Sequence, residues 1–312
     1  MEEFQIPKSN YPIEKGGVLV FCLTQDKKLI RYALWEKGKR GLIIFLNGRN
    51  EYIEKYNSAY RSFQSKGFAV VTLDWRGQGL SSKGKFNNGN VDSFKDYQLD
   101  LQAVLNIPQL KNFKGDRFLI AHSTGACIGA RSLDSKQYTI KAAIFLGPLW
   151  GWGDSLGNKL VRSSIAITSK LFTSLGLGQL SCGPPTKIPY IFKTSLENNC
   201  HTSDAHQFKR LQDIINHDPR LSIGAPSFSW IASADREIRK ITSRCLNKIP
   251  TLIVVGSEDS LICKSAAKKI SDGSPTSRFV KIQNARHEIL IEKKEIQLIF
   301  WKEFDDFLRS LG

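Results

Sequence analysis

The stretch "RFLIAHSTGACIGA", residues 117–130, decides the fold. After its leading arginine the first half is apolar, and the second half is small, with Gly125, Ala126, Gly129 and Ala130 following Ser123. A short apolar run that stops abruptly and passes into small residues reads as a buried strand turning directly into a helix. Ser123 stands at the join, and the small neighbours let the helix lie close to adjacent backbone. That is the pattern of a nucleophile elbow, in which a serine is held on a strained turn at the end of a central strand. Ala121 takes the place of the first glycine of the Gly-x-Ser-x-Gly frame; one methyl crowds such a turn without forbidding it.

The chain's literal Gly-x-Ser-x-Gly, "GDSLG" around Ser155, is the rival. It follows Pro148 and two tryptophans, and no strand ends at its position. It reads as a chance match in a glycine-rich connection, and Ser123 is the expected nucleophile.

Working outward, apolar runs of strand length recur as "GLIIFLNG" (41–48), "GFAVVTLDW" (67–75), "KAAIFLGP" (141–148), "PTLIVVGSED" (250–259) and "SRFVKIQNARH" (277–287). Runs that are apolar throughout are buried on both faces, as in a parallel sheet covered by helices. Candidate helices lie between them near 51–66, 91–106, 124–135, 263–271 and 293–310. The alternation predicts a doubly wound, mostly parallel α/β sheet with helices on both faces. Upstream, "GGVLVFCLT" and "LIRYALWE" flank a polar connection and predict an antiparallel hairpin at the sheet edge.

The rhythm breaks over 149–235, which shows helical periodicity, prolines and glycines without a strand run. The expected organisation is a core of residues 1–148 and 236–312 with a helical cap, 149–235, inserted over the carboxyl edge of the sheet.

With 312 residues, 41% of them hydrophobic, the chain can bury a sizeable core. The opening "MEEFQIPKSNYPIEKGG" has no apolar h-region, and no apolar run approaches the roughly 20 residues of a membrane span, so a cytoplasmic protein is expected. The six cysteines are far apart and without metal-ligand spacing, which predicts reduced thiols and no zinc site. A net charge of +16 asks for an anionic partner, or reflects a lysine-rich solvated surface. Its basic residues are scattered and do not alternate with aromatics, so nucleic acid is not expected. Peripheral attraction to anionic lipid on the inner membrane face stays open. The expected cap holds eight basic and six acidic side chains, so the excess charge lies in the core.

A serine needs a general base, and the base an orienting acid, which follow an elbow in the order Ser, Asp or Glu, His. Of the five histidines, His122 is on the elbow and His201, His206 and His217 fall in the expected cap, leaving His287 after the last strand. Glu258 and Asp259 end the preceding strand in a polar turn; Asp259, nearer the next apolar pair and 28 residues before His287, is preferred over Glu258. The oxyanion hole requires two backbone N–H groups, for which Thr124 and, after the Asn47–Gly48 turn, Arg49 are the candidates.

In order along the chain, "NGRNEYIEKY", "TLDWRGQGLSS", "IAHSTGA", "GSEDSLI" and "ARHEILIE" resemble the bacterial lysophospholipase and monoacylglycerol lipase family of α/β-hydrolases. The likeness extends into "NNCHTSDAHQFKRLQDIINHDPRLSIGAPSFSWI". It implies an α/β-hydrolase fold with catalytic Ser123, Asp259 and His287 and oxyanion donors at Arg49 and Thr124. It also implies hydrolysis of single-chain lipid esters, lysophospholipid or monoacylglycerol, through an acyl-enzyme, without metal or organic cofactor. "SSIAITSKLFTSLGLG" (163–178) would line the acyl tunnel. The chain departs from the family in having Asn47 for a common histidine, Ala121 for glycine, and Gln207 where the cap often carries arginine. A short-chain esterase or thioesterase, or a catalytically silent lipid- or protein-binding scaffold, are the alternatives.

Overall fold

The computed structural model describes residues 9–134, 138–153, 157, 159–183, 188–243 and 249–312. An edge hairpin of β1 (Val18–Leu23) and β2 (Leu29–Trp35) leads into the alternating part of the chain. There β3 (Leu42–Leu46), α1 (Asn57–Ser65), β4 (Ala69–Leu73), α2 (Asp96–Leu105), a short α3 (Pro108–Lys111), β5 (Arg117–His122), α4 (Thr124–Asp134) and β6 (Ala142–Leu146) follow in turn. Then α5 (Lys159–Ser174), α6 (Ala205–His217) and α7 (Phe228–Thr242) intervene before β7 (Thr251–Gly256), α8 (Lys264–Asp272), β8 (Ser277–Ile282) and α9 (Lys294–Arg309).

The eight strands form one sheet in the order β1-β2-β4-β3-β5-β6-β7-β8, antiparallel at β1/β2 and β2/β4 and parallel from β4 to β8. This is the α/β-hydrolase fold, with the edge hairpin the sequence predicts. Strand periodicity divides the core: Leu42, Ile44 and Leu46 face one side with Trp75, Tyr97 and Trp150, while Ile43 and Phe45 face the other with Tyr60, Phe63 and Phe300. Strands β3 to β7, apolar but for Thr72, Arg117, His122 and Thr251, are buried on both faces except at Arg117, as expected of central parallel strands.

The region between β6 and β7 shows two features the sequence does not give. Helix α7 runs unbroken through the expected boundary at 235/236. Its Trp230, Ile231, Ala234, Ile238 and Ile241 join the main core, and Glu237 pairs with Arg131 of α4 at 3.0 Å. Helix α5 instead turns much of its apolar side outward: Leu160, Val161, Ile167 and Leu171 are exposed, as are Leu175 and Leu177 beyond it. It packs on α7, with Ala166 and Ser169 buried, Phe172 against Phe228 at a ring-centroid distance of 4.3 Å, and Lys170 Nζ 3.3 Å from Asp235 Oδ2. Cys22, Cys127, Cys182, Cys200 and Cys263 are free thiols; Cys245 and Ser155 lie outside the described residues.

Candidate active site

Four neighbouring parallel strands bring one residue or loop each to their shared carboxyl edge. β5 delivers Ser123, with φ +52°, a left-handed conformation that costs a non-glycine residue about 1–3 kcal/mol and that persists only where the surroundings enforce it. The surroundings here are specific. The Ser123 N–H donates to Leu146 O of β6 at 3.0 Å, and Ser123 O accepts from Leu149 N–H at 3.1 Å. Gly125 must be glycine, because a methyl there would stand 2.3 Å from Leu46 O. That close approach presses the start of α4 against the end of β3, as the run of small residues suggests.

From β7, Asp259 is fully buried and its Oδ2 lies 2.7 Å from His287 Nδ1. Its Oδ1 accepts from Leu261 N–H at 2.9 Å. Burial alone raises the Asp259 carboxyl, but the His287 imidazole and the Leu261 amide outweigh it and hold the group below its usual range. Glu258 is exposed, so the pair of acids that the sequence leaves open divides cleanly: Asp259 faces the imidazole. Gly147, just after β6, sits between the serine turn and this pair, and a methyl on it would lie 3.1 Å from His287 Nδ1 and 3.2 Å from Asp259 Oδ2.

β3 supplies the loop beside the serine; a methyl on Gly48 would meet Ser123 Cβ at 2.9 Å. The Gly48 N–H is held by Glu51 Oε2, and the Asn50 N–H by Gln78 Oε1 at 2.5 Å. Between them the Arg49 N–H donates to no group among the described residues, and neither does the Thr124 N–H that opens α4. Backbone donors in the interior are almost always paired, so two free ones flanking a strained serine form a ready acceptor site for a developing oxyanion.

Sequence reasoning missed the network beneath. Glu51 Oε1 lies 2.7 Å from His122 Nδ1 and accepts from Tyr56 OH at 3.0 Å, while His122 Nε2 is 3.2 Å from His287 O. A carboxylate at one nitrogen and a carbonyl at the other make His122 a double donor, hence an imidazolium. Burial works against that charge, but Glu51 overcomes it and raises the His122 pKa. Burial likewise opposes the Glu51 charge, yet His122 and Lys55 bring that carboxyl down to about 2. Lys55 Nζ lies 2.5 Å from Glu288 Oε1, and His201 Nδ1 lies 2.6 Å from the same oxygen. The only sequence signal was charge embedded in apolar surroundings, "NEYIEK" and "IAHS".

The three family departures are placed as follows. Asn47 Nδ2 donates to Leu73 O at 3.0 Å and Asn47 O accepts from Trp75 Nε1 at 2.7 Å, so the residue braces β4. Ala121 is fully buried within β5. Gln207 Oε1 accepts from Arg210 Nε at 2.9 Å, and Arg210 in turn reaches Glu54 O at 3.4 Å.

A cavity of about 360 Å³ adjoins the centre, lined by Arg49, Asn50, Ile188, Tyr190, Cys200, His201, Ile223 and Leu261 among others. Cys200 and Leu261 tie it to the site, since Cys200 O accepts from His287 N–H at 3.2 Å and Leu261 N–H binds Asp259. Its walls, among the described residues, come from 49–50, 188–201, 223–225 and Leu261, and none of 163–178, the expected tunnel lining, is among them.

The chain is 27% identical over 282 residues to a Haemophilus influenzae protein named "Probable lysophospholipase L2", covering 88% of this chain and 85% of that one. It is 22% identical over 276 residues to "Lysophospholipase L2" of Escherichia coli strain K12, covering 85% and 79%. The fold matches a Saccharomyces cerevisiae monoglyceride lipase crystallised with a substrate analogue, with a TM-score of 0.73, 20% identity and coverage of 98% and 99%. Residues 37–294 match the Hydrolase_4 family, described as serine aminopeptidase, S33, and the chain belongs to that family of α/β-hydrolases.

Proposed function

We propose that this protein is a serine hydrolase that cleaves the carboxylic ester of single-chain lipids through an acyl-enzyme. The observation that carries the reading is the convergence of Ser123 on a left-handed turn, the buried 2.7 Å Asp259–His287 pair, and the two free N–H groups of Arg49 and Thr124. In this mechanism His287 takes the proton of Ser123 as its Oγ attacks the ester carbonyl. Asp259 fixes the imidazole tautomer and stabilises the imidazolium. The Arg49 and Thr124 amides receive the oxyanion, His287 returns the proton to the leaving alcohol, and water then releases the fatty acid by the same steps.

The lipid substrate class is supported by the Haemophilus influenzae and Escherichia coli relatives, which are named lysophospholipases. The family description names a peptidase, but an aminopeptidase needs a carboxylate to hold its substrate's ammonium group. Among the described residues, the cavity beside the site is lined by Arg49, Lys193 and His201 and by no Asp or Glu. The test is hydrolysis of lysophospholipids, monoacylglycerols, p-nitrophenyl esters of rising chain length and aminoacyl anilides by wild type and Ser123→Ala. Activity confined to the anilides, or retained by Ser123→Ala, refutes the reading.

Residues 149–235 act in this reading as the cap over the site, with α5 as its outer helix. No helix among the described residues is long and apolar enough to cross a membrane. Its exposed Leu160, Val161, Ile167 and Leu171 suit shallow contact with a lipid surface, aided by the +16 net charge. Sedimentation with anionic vesicles should fall on Ile167→Ser with Leu171→Ser; unchanged sedimentation excludes α5 as the contact.

A further inference from the structure

Arg49 carries a second feature besides its free amide. Its guanidinium has no carboxylate partner among the described residues. Nη2 donates to Asn88 O at 2.9 Å and to Gly224 O at 2.7 Å, the Cζ lies 5.2 Å from the Trp230 ring centroid, and Nε is buried without a partner. Two neutral carbonyls orient the fork but leave the charge unneutralised, and burial brings the pKa down to about 10. Buried guanidinium groups are ordinarily matched by an anion, as Arg31 is here by Glu54 at 2.8 Å and Asp74 at 2.6 Å. The same chain thus neutralises one buried arginine twice over and leaves the arginine beside its serine unmatched.

The location of that charge matters. Arg49 lines the 360 Å³ cavity together with Lys193 and His201, and the acids close behind this wall are already engaged: Glu288 by Lys55 and His201, and Asp259 by His287. A volume within the roughly 300–1,000 Å³ of small-molecule sites, with cationic walls and apolar Ile188, Ile223 and Leu261, suits a ligand with an anionic end and an apolar remainder. Guanidinium is the side chain best matched to phosphate oxygens.

We propose that the Arg49 guanidinium is the headgroup site of this enzyme, receiving the phosphate of a single-chain phospholipid whose ester carbonyl lies over Ser123. The proposal rests on the lipid-ester reading and decides within it: the phosphate-bearing lysophospholipid is preferred over the neutral monoacylglycerol. One residue then serves both ends of recognition, its amide at the oxyanion and its side chain at the headgroup.

The experiment compares kcat/KM for 1-oleoyl lysophosphatidylglycerol and 1-oleoylglycerol in the same neutral detergent micelles, for wild type, Arg49→Lys and Arg49→Met. Both substrates lose whatever the altered oxyanion loop costs, so the readout is their ratio. The wild type should favour the lysophospholipid, and Arg49→Met should lower that ratio by about 10- to 100-fold, the range of a charge-assisted hydrogen bond. Arg49→Lys preserves net charge and surface attraction, so a partial recovery of the ratio identifies local phosphate contact. An unchanged ratio with both rates reduced together means that Arg49 only stitches Asn88 and Gly224, and overturns the proposal. Wild-type cleavage of monoacylglycerol alone overturns it as well and leaves the lipid-ester reading standing, whereas cleavage of neither lipid with intact p-nitrophenyl esterase activity defeats the reading itself. Inorganic phosphate is the last arm: inhibition of 1-oleoylglycerol hydrolysis without any lysophospholipid preference assigns the guanidinium to free anions and overturns the headgroup assignment.

Discussion

Replacing Gly147 by alanine adds one methyl and removes no functional group, yet the site geometry makes it a demanding test. Gly147 has φ +47°, so alanine there costs about 1–3 kcal/mol in backbone strain alone. Its methyl would stand 3.1 Å from His287 Nδ1 and 3.2 Å from both His287 Cε1 and Asp259 Oδ2, closer than carbon ordinarily approaches these atoms. The imidazole or the carboxylate has to yield by a few tenths of an ångström. Since a 1 Å misplacement at a reacting centre costs about 100-fold, turnover should fall about 10-fold or somewhat more. The control is Gly16→Ala, which shares the positive backbone angle, at φ +80°, with nothing within 4 Å of the added methyl. Both variants should lose several degrees in a thermal melt, at about 2–4 °C per kcal/mol, but only Gly147→Ala should lose turnover on a soluble p-nitrophenyl ester. Equal activity in the two variants would refute the reasoning that the Asp259–His287 pair is held in a functional geometry beside Gly147.

Two further outcomes follow from the buried charges. Asp259→Asn should keep the fold and lower turnover by about 10⁴-fold, as loss of the correct imidazole tautomer does in other triads, whereas the exposed Glu258→Gln should change it little; the reverse ordering would make Glu258 the acid. Glu51→Gln removes the partner of the His122 imidazolium and, with the pair fully buried, should destabilise by about 3–5 kcal/mol. The signs fix the pH window. His122, raised by its partner, contributes below its unfolded value of about 6.5 and is lost as pH climbs through its folded pKa. Glu51, lowered, contributes above its unfolded value of about 4.3 and is lost as pH falls toward 2. The melting gap between wild type and Glu51→Gln should therefore be widest between about pH 4.3 and 6.5 and narrow on either side; a gap independent of pH would remove the ion pair.

Local chemistry explains what the sequence made legible. The elbow could be read because its demands are contiguous: an apolar run, a serine, and small residues where Gly125 has to approach Leu46. The central strands were likewise readable from short apolar runs, and the hairpin from two such runs flanking a polar connection. Spacing alone did not separate Asp259 from Glu258, because adjacent residues differ by one in their distance to His287, and the preference for Asp259 rested on its nearness to the apolar pair whose Leu261 amide it binds. Helix α7 crosses the expected edge of the cap because its amphipathic repeat continues past Asp235, and nothing in a repeat tells which body its apolar side will meet. The same ambiguity governs α5, whose periodicity was evident but whose outward side was not. Glu51 and His122 are 71 residues apart, so their pairing has no sequence signal beyond the oddity of charge among apolar neighbours.

Strand order gives that pairing its consequence. β5 lies between β3 and β6, so Ser123 has the Gly48–Arg49 loop on one side and Asp259 and His287, carried beyond β7 and β8, on the other. The two sides share no sheet hydrogen bond, and the serine turn alone would not fix their separation. The Glu51–His122 pair closes this gap: Glu51 holds the Gly48 amide beside the serine, and His122 binds the His287 carbonyl. Because His122 directly precedes Ser123, the bridge passes beside the proposed nucleophile. A charge pair suits the task better than an apolar contact would, since its hydrogen bonds set distances and directions that shape packing alone leaves loose. Its desolvation penalty is offset here by a second cation, Lys55, and by carbonyl and hydroxyl partners, so the buried charges are retained in a position where they order both halves of the proposed site.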